Sequence, residues 1–179
     1  MLDTGAGIED VEAEYLKMLR ADLGYRYAGF SPIHNPDKEQ IHFNLAFATN
    51  HPMGMETMRT AEFRSLSDYD RARFSKKKPP QDDLFVSIGE HFDVRGPYLR
   101  TRENHLVCAG DVILRLLSES PEGVKFDRLS ALIQQDLYLR RTELKDTLVE
   151  LTSRGKVSAD WKVGRKQEPS NSYLIRRTQ

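Results

Sequence analysis

The chain has 179 residues with 27 acidic and 27 basic side chains, and 39% of its residues are hydrophobic. This length predicts one or two domains with a real core. The single cysteine, Cys108, excludes an internal disulfide and a multi-cysteine zinc site. No apolar run approaches the roughly 20 residues that cross a membrane, and the acidic N-terminal stretch lacks an apolar signal core, so we expect a cytoplasmic protein.

The charges are unevenly distributed along the chain. Residues 1–104 hold 14 Lys/Arg and 17 Asp/Glu, a net charge of −3, whereas residues 105–179 hold 13 and 10, a net charge of +3. A basic C-terminal part is compatible with nucleic-acid binding. An imbalance of this size also arises by chance, so it decides nothing by itself.

The first elements are a predicted helix and a predicted hairpin. Apolar residues recur every three or four positions over residues 8–23, which indicates an amphipathic helix that Gly24 ends. Two strands follow, 25–33 and 40–49, and the residues between them (34–39) favour a turn. The second strand alternates and places four apolar side chains on one face: Ile41, Phe43, Leu45 and Phe47. A helix over 53–64 comes next.

This hairpin, with one helix on each side of it in the sequence, is too small to form a stable domain by itself. A two-stranded hairpin is marginally stable in water, and a strand with so apolar a face needs more sheet beside it. We therefore expect the edge of a larger sheet whose other strands are missing or come from a partner. Residues 65–104 predict an irregular linker, in which the lysine run ending at Pro79 and Pro80 is either an exposed connection or a patch that contacts phosphate.

The last third of the chain predicts a complete winged helix-turn-helix domain. Helices are expected over 107–118, 127–135 and 138–154, with strands over 124–126, 156–161 and 171–177. The first helix is expected to place Val107, Ile113, Leu114 and Leu117 inward, and the second helix Leu129, Leu132 and Ile133. Inward-facing leucines at 144, 148 and 151 anchor the third helix, and Gly155 stops it in a left-handed conformation. In helix-turn-helix proteins the start of this third helix faces the bases of the major groove.

The candidate binding residues follow from this placement. Arg140, Arg141, Thr142 and Lys145 are expected on the outside of the third helix, where Arg pairs with guanine and Lys or Thr reaches phosphate. The loop between the last two strands adds Lys162, Arg165 and Lys166. The alternative is that these side chains are merely solvated, or that the domain serves protein contacts alone.

The sequence shows no constellation for catalysis. The five histidines form no pair at i,i+4 and have no matching set of carboxylates, so no metal site is expected. There is no glycine loop that cradles phosphate, no nucleophile elbow and no metalloprotease helix. We therefore predict a protein that is not an enzyme and that needs no cofactor.

The stretch from His42 to Arg59, HFNLAFATNHPMGMETMR, resembles the three-Cys-motif partner (TcmP) proteins. The resemblance implies a Rossmann-type, methyltransferase-like domain followed by a winged helix, and a radical-SAM-like protein as partner. The glycine-rich first turn of such a domain is absent, so no cofactor residue is carried over. The chain is expected to be a truncated gene product, a split subunit or a fragment of such a protein.

Together these patterns predict an α+β chain: a partial α/β unit, consisting of a Rossmann-like C-terminal edge hairpin with its helices, followed by the winged helix. The expected parts are a methyltransferase-type remnant (1–65), a linker (66–104) and the winged helix (105–179). The expected function is nucleic-acid binding as an accessory of the radical-SAM-like partner. The alternative is a protein-interaction subunit, with self-association as one form, that completes a methyltransferase-like domain without touching nucleic acid.

Overall fold

A computed structural model describes residues 8–35, 40–75, 96–159, 161 and 169–178. Within those ranges the protein has five helices and two small antiparallel sheets, so the predicted mixture of α and β structure is confirmed at this level. The N-terminal elements are α1 (Ile8–Ala21), β1 (Tyr27–His34), β2 (Ile41–Thr49) and α2 (Pro52–Ser75). The C-terminal elements are α3 (Pro97–Ser118), β3 (Val124–Lys125), α4 (Phe126–Asp136), α5 (Arg141–Ser153), β4 (Val157–Ala159) and β5 (Leu174–Arg177).

Strands β1 and β2 form the predicted antiparallel hairpin, with one irregularity. Ile33 pairs with Phe43, but His34 pairs with Ile41, so His42 is skipped. Because residues paired across a ladder share a face, Ile41 lies on the face of His34 and not on that of Phe43. The strict alternation expected from Ile41 to Phe47 is therefore wrong at its first residue, where the bulge shifts the register.

The predicted linker 66–104 is wrong at both ends. Helix α2 has 24 residues and continues to Ser75, and α3 already begins at Pro97; residues 76–95 lie outside the described part of the chain. The boundary was missed because the second half of α2 buries polar residues such as Ser67 and Asp70 instead of an apolar stripe. Asp70 also anchors α3, since its Oδ2 accepts the backbone N–H of Leu99 at 3.1 Å.

The C-terminal helices and sheet enclose the larger core. Strands β3, β5 and β4 form one sheet in that order. Most of the residues predicted to face inward are buried: Ile113, Leu117, Leu129, Ile133, Leu144, Leu148 and Leu151. Leu114 and Leu132 are only partly buried. Val107 is 84% exposed, because the buried stripe of α3 runs through Tyr98, Arg102, Ala109 and Ile113 and leaves Val107 off its line.

The two predicted stops at glycine are confirmed. Gly24 and Gly155 have φ values of +72° and +67°, which other residues rarely adopt. At the end of α5 the N–H of Lys156 bonds to the carbonyl of Leu151 at 2.9 Å, and the N–H of Gly155 bonds to that of Thr152 at 3.0 Å. This pair of bonds satisfies carbonyls that the helix end leaves open and turns the chain into β4.

The hairpin packs directly on the C-terminal part. A second, smaller core joins Tyr27 of β1 and Met55 of α2 to Ala131 of α4, with Phe47 and Leu132 beside them. The side-chain amide oxygen of Gln135 accepts the N–H of Ala28 at 3.2 Å. The parts expected to be separate thus share a junction, which has α4 on one side and β1 and α2 on the other.

Candidate functional site

Arg141, at the start of α5, was predicted to be exposed, and that prediction is wrong. Its side chain is buried, with Nη1 3.3 Å from Glu56 Oε2 of α2. Nη2 donates to the side chain of Asn171, and the guanidinium lies over the ring of Phe126 at 4.5 Å. The inward leucines therefore do not decide which way this arginine points, because α2 supplies a partly buried carboxylate as its partner.

The other predicted contact residues differ in exposure. Arg140 is half-buried, lies 4.0 Å from the ring centre of Phe63 and pairs with Glu143 at 3.2 Å. Thr142 is exposed, as predicted, and Lys145 is half-buried with an interaction of its own. Lys162, Arg165 and Lys166 lie outside the described residues. The start of α5 is therefore a part of the junction with α2, and only Thr142 is freely presented.

Arg59 of α2 is the centre of that junction. Its side chain is fully buried and forms a 2.6 Å ion pair with Glu62. Its nitrogens also donate to the carbonyls of Gln134 (2.7 Å), Phe30 (2.9 Å) and Gln135 (3.0 Å). The bonds to Gln134 and Gln135 satisfy carbonyls at the end of α4, which a helix leaves without partners. One side chain thereby ties α2, β1 and α4 together.

Aromatic rings enclose the same arginine. The guanidinium carbon lies 5.1 Å from the ring centre of Phe47 and 4.8 Å from that of Tyr138. Planar, weakly hydrated guanidinium groups suit such a site better than an ammonium does. No role for Arg59 was predicted from the sequence. The available signal was an Arg–Glu pair at i,i+3 beside the apolar residue Met55 on a predicted helix.

A second buried pair lies next to the first. Arg102 of α3 donates through Nε to the carbonyl of Tyr138 at 2.8 Å and forms an ion pair with Glu143. It lies 4.3 Å from the centre of Phe63, whose ring Arg140 also contacts. Burial by itself raises the pKa of Glu143, but hydrogen bonds from Arg102 and Arg140 outweigh it, so the pKa lies below its ordinary value.

Glu62 shows the opposite balance. Burial raises the pKa of its carboxyl above the ordinary value, although Arg59 acts in the other direction. Burial likewise raises the pKa of the neighbouring Tyr98 hydroxyl well above its ordinary value. Desolvation thus decides the direction of the pKa shifts of Glu62 and Tyr98 in the middle of the junction. Hydrogen bonding decides the direction of the shift of Glu143 at its edge.

The titratable groups of the junction fit a structural role. His105 accepts the N–H of Tyr138 through Nδ1 at 2.9 Å, and burial lowers its pKa, with Arg59 and Arg102 adding to that effect. In the described part of the chain no three His, Cys, Asp or Glu side chains come together as a metal site. The buried arginines bind glutamates and carbonyls of the protein itself, so they hold elements together.

The surface of the hairpin has a different character. Ile41, Phe43 and Leu45 of β2 are 54%, 52% and 46% exposed. Between α1 and β2 lies an open groove of about 750 Å³, where Val11 and Tyr15 face Ile41. Tyr15 also stacks on Phe30 at 6.2 Å, which holds α1 on this side of the hairpin. The expectation of an incompletely covered hairpin is confirmed by this exposure.

Comparisons with known proteins add no relative: no family model, no curated protein and no solved structure matches this chain. Among the described ranges, none of the helices is long and apolar enough to span a membrane.

Proposed function

We propose that this protein is a protein-interaction subunit whose hairpin is completed by a strand of a partner. The main support is the unpaired outer edge of β2. In the described part of the chain β2 pairs only with β1, so its other edge presents unpaired backbone groups, and apolar side chains beside that edge are about half-exposed. The proposal involves no catalytic step and no cofactor.

The composition of β2 supports strand addition. Edge strands that face solvent are usually protected by lysines, prolines or inward charges. The nine residues of β2, IHFNLAFAT, include no charged residue, no proline and no glycine. An added strand would satisfy the backbone and cover side chains on both faces, which is the mode of β-augmentation. Covering the exposed half of a side chain such as Phe43 contributes about 1 kcal/mol.

The partner that we propose is the radical-SAM-like three-cysteine protein, or the remaining strands of a methyltransferase-like sheet. Two observations support this choice. The resemblance to three-Cys-motif partner proteins is carried by residues 42–59, which form β2 and the beginning of α2. This is the same segment that exposes the apolar side chains, whereas the C-terminal core is closed around its own residues.

The test is co-purification of the full chain with a co-expressed three-cysteine protein. We expect Phe43→Glu with Leu45→Glu to abolish recovery of the partner, because both charges would be buried beside the new strand. Val107→Glu is the matched control, since Val107 is also apolar and 84% exposed but lies on α3. Equal recovery with both variants, each shown to be folded by circular dichroism, would rule out β2 as the docking edge.

Nucleic-acid binding by a winged helix is the second candidate. A specific observation favours it: three helices are combined with a three-stranded sheet of order β3-β5-β4, the arrangement that a winged helix requires. Residues Lys162, Arg165 and Lys166 belong to the connection between β4 and β5, where the wing would be.

The test of this candidate uses the wing. Arg141→Ala would remove the ion pair that this buried arginine forms with Glu56, and loss of binding could not be separated from loss of stability. We therefore expect the triple alanine variant at 162, 165 and 166 to weaken duplex binding. The slope of log affinity against log salt would become shallower by about 0.9 for each lost phosphate contact. An unchanged affinity and slope would exclude the wing.

A further inference from the structure

An open groove lies where the end of the hairpin meets the start of α4. It has a volume of about 630 Å³. The hairpin contributes Arg26 and the loop Asn50-His51-Pro52, and the C-terminal part contributes Lys125 and Arg128. Tyr27 lies at its base, and a smaller pocket formed by Arg26, Tyr27, Arg128 and Leu132 continues it. Among the described residues, none of β2 (Ile41–Thr49) forms part of its lining.

The cations of this groove differ from those of the junction. The junction arginines all have anionic partners: Arg59 with Glu62, Arg102 and Arg140 with Glu143, and Arg141 with Glu56. Arg26, Lys125 and Arg128 are exposed, and within the described residues their side chains form neither an ion pair nor a hydrogen bond. Their donors therefore face the groove and solvent without an internal anion.

Two further side chains, His51 and Asn50, add donors to the same lining. The Nδ1 atom of His51 accepts the N–H of Met53 at 3.2 Å, so Nε2 is the ring nitrogen that can donate outward. The side-chain oxygen of Asn50 accepts the N–H of Arg26 at 3.0 Å, so its amide NH₂ remains free to donate. The loop bonds thus orient both side chains as hydrogen-bond donors.

The acidic residues of the lining do not cancel this excess. Glu122 and Asp127 line the groove, but one oxygen of Asp127 accepts the N–H of Arg128 at 2.7 Å within the first turn of α4. Arg176 lies beside Glu122, because its Nε donates to the Glu122 carbonyl at 3.1 Å. Counted over the described residues, four cationic side chains in and beside the groove therefore oppose two carboxylates.

We propose that this groove binds phosphate groups, and that their source is the backbone of a nucleic-acid strand. Guanidinium groups bind phosphate through two parallel hydrogen bonds, and Lys and His add single donors. The site is open and elongated by the adjoining pocket, which suits a polymer with repeated phosphates better than an enclosed small anion. This inference is independent of strand addition at β2, because it involves a different surface.

The test measures binding of labelled 20-nucleotide single-stranded and duplex DNA to the full chain by fluorescence anisotropy, between 50 and 200 mM KCl. We expect Arg26→Ala with Arg128→Ala to weaken binding at least about tenfold and to reduce the salt slope by about 1.8, for two lost phosphate contacts. The matched control is Arg64→Ala with Arg115→Ala, which removes two exposed arginines elsewhere. The control is expected to change affinity less than about twofold.

Competition with inorganic phosphate and with a nucleoside triphosphate distinguishes the sources of phosphate. Binding of the oligonucleotide at least 100-fold tighter than either small anion supports a nucleic-acid strand. Small anions that bind as tightly as DNA would overturn that assignment. Equal losses in the groove variant and its control, or absence of any oligonucleotide binding at 50 mM KCl, would overturn the site itself. Loss confined to the 162, 165 and 166 variant would move the contact to the wing and overturn the groove.

Discussion

The C-terminal unit (96–178) and the hairpin unit (8–75) are stabilised by different means. Among the described residues, the C-terminal unit encloses a core of fifteen buried apolar residues, which come from its three helices, its three strands and the segments that adjoin them. The hairpin unit buries few apolar side chains of its own, leaves those of β2 half-exposed, and is attached by buried arginines. One unit is therefore closed around its own side chains, whereas the other is completed by its neighbour and leaves a surface for something else.

The largest loss of stability is expected at Arg59, which attaches the hairpin unit to the C-terminal unit. We expect Arg59→Met to reduce the free energy of unfolding by about 3–5 kcal/mol, because Glu62 would remain buried without its partner. Three carbonyls would also lose their donor. Urea unfolding followed by circular dichroism measures the loss. Arg64→Met, an exposed arginine on the same helix, is the control and should stay within about 0.5 kcal/mol. Similar values for the two variants would contradict the role given to Arg59.

The two apolar surfaces provide the next test. Leu148→Ala in the C-terminal core is expected to cost about 2–5 kcal/mol, because Leu148 is fully buried and leaves a cavity. Leu45→Ala on β2 should cost under about 1 kcal/mol, because about half of its surface already contacts solvent. Both are measured by the same urea titration on the chain alone. A large cost for Leu45→Ala would show that β2 is covered in solution, for example by a second copy.

The contact between the two units at α3 predicts a smaller effect. A Cβ on Gly96 would overlap the carboxylate of Asp70, although the φ of −70° suits any residue. We expect Gly96→Ala to cost about 1–3 kcal/mol by overpacking, and Asp70→Ala to cost about 0.5–2 kcal/mol by loss of the cap on α3.

The pair of changes separates these causes. In the double variant the alanine at 96 meets no carboxylate. The double variant should therefore lose less free energy of unfolding than the sum of the losses in the two single variants. Thermal and urea unfolding of all four proteins give the coupling. Strictly additive costs would mean that Asp70 does not occupy the space beside Gly96.

The smallest expected effect is the change of stability with pH that His105 causes. Burial lowers the pKa of His105, so the unfolded chain takes up its proton at a higher pH than the folded one. The contribution of the neutral His105 ring to the free energy of unfolding is fully present above the unfolded pKa of about 6.5. It is lost as pH falls toward the lower folded pKa. His34, whose pKa burial also lowers, changes stability in the same direction.

His105→Asn isolates the first of these groups. The Oδ1 of asparagine replaces Nδ1 as acceptor for Tyr138, but asparagine does not titrate. We expect the variant to lose less stability than the natural chain between pH 7 and pH 5.5, as measured by urea unfolding at each pH. Identical losses would show that protonation of His105 does not contribute.

Much of the local structure was predictable, and the reasons are local. Apolar periodicity indicated α1, α4 and α5, alternation indicated β2, and the left-handed positions of Gly24 and Gly155 followed from where the helices had to stop. The exposed apolar side of β2 was also foreseen, because the hairpin had too little sheet to cover it. These features depend on neighbouring residues in the sequence, which a single chain displays directly.

The roles of the arginines were not predictable in the same way. Arg141 is buried because Glu56, 85 residues earlier, lies beside it, and Arg59 is buried because α4 ends with open carbonyls against α2. Arg26, Lys125 and Arg128 converge only because the hairpin and α4 meet. The sequence by itself determined the positions of α1, α4, α5 and the hairpin, but not how far α2 and α3 extend. Only the tertiary structure decided which charges are neutralised inside and which remain available, because that depends on partners brought together from distant parts of the chain.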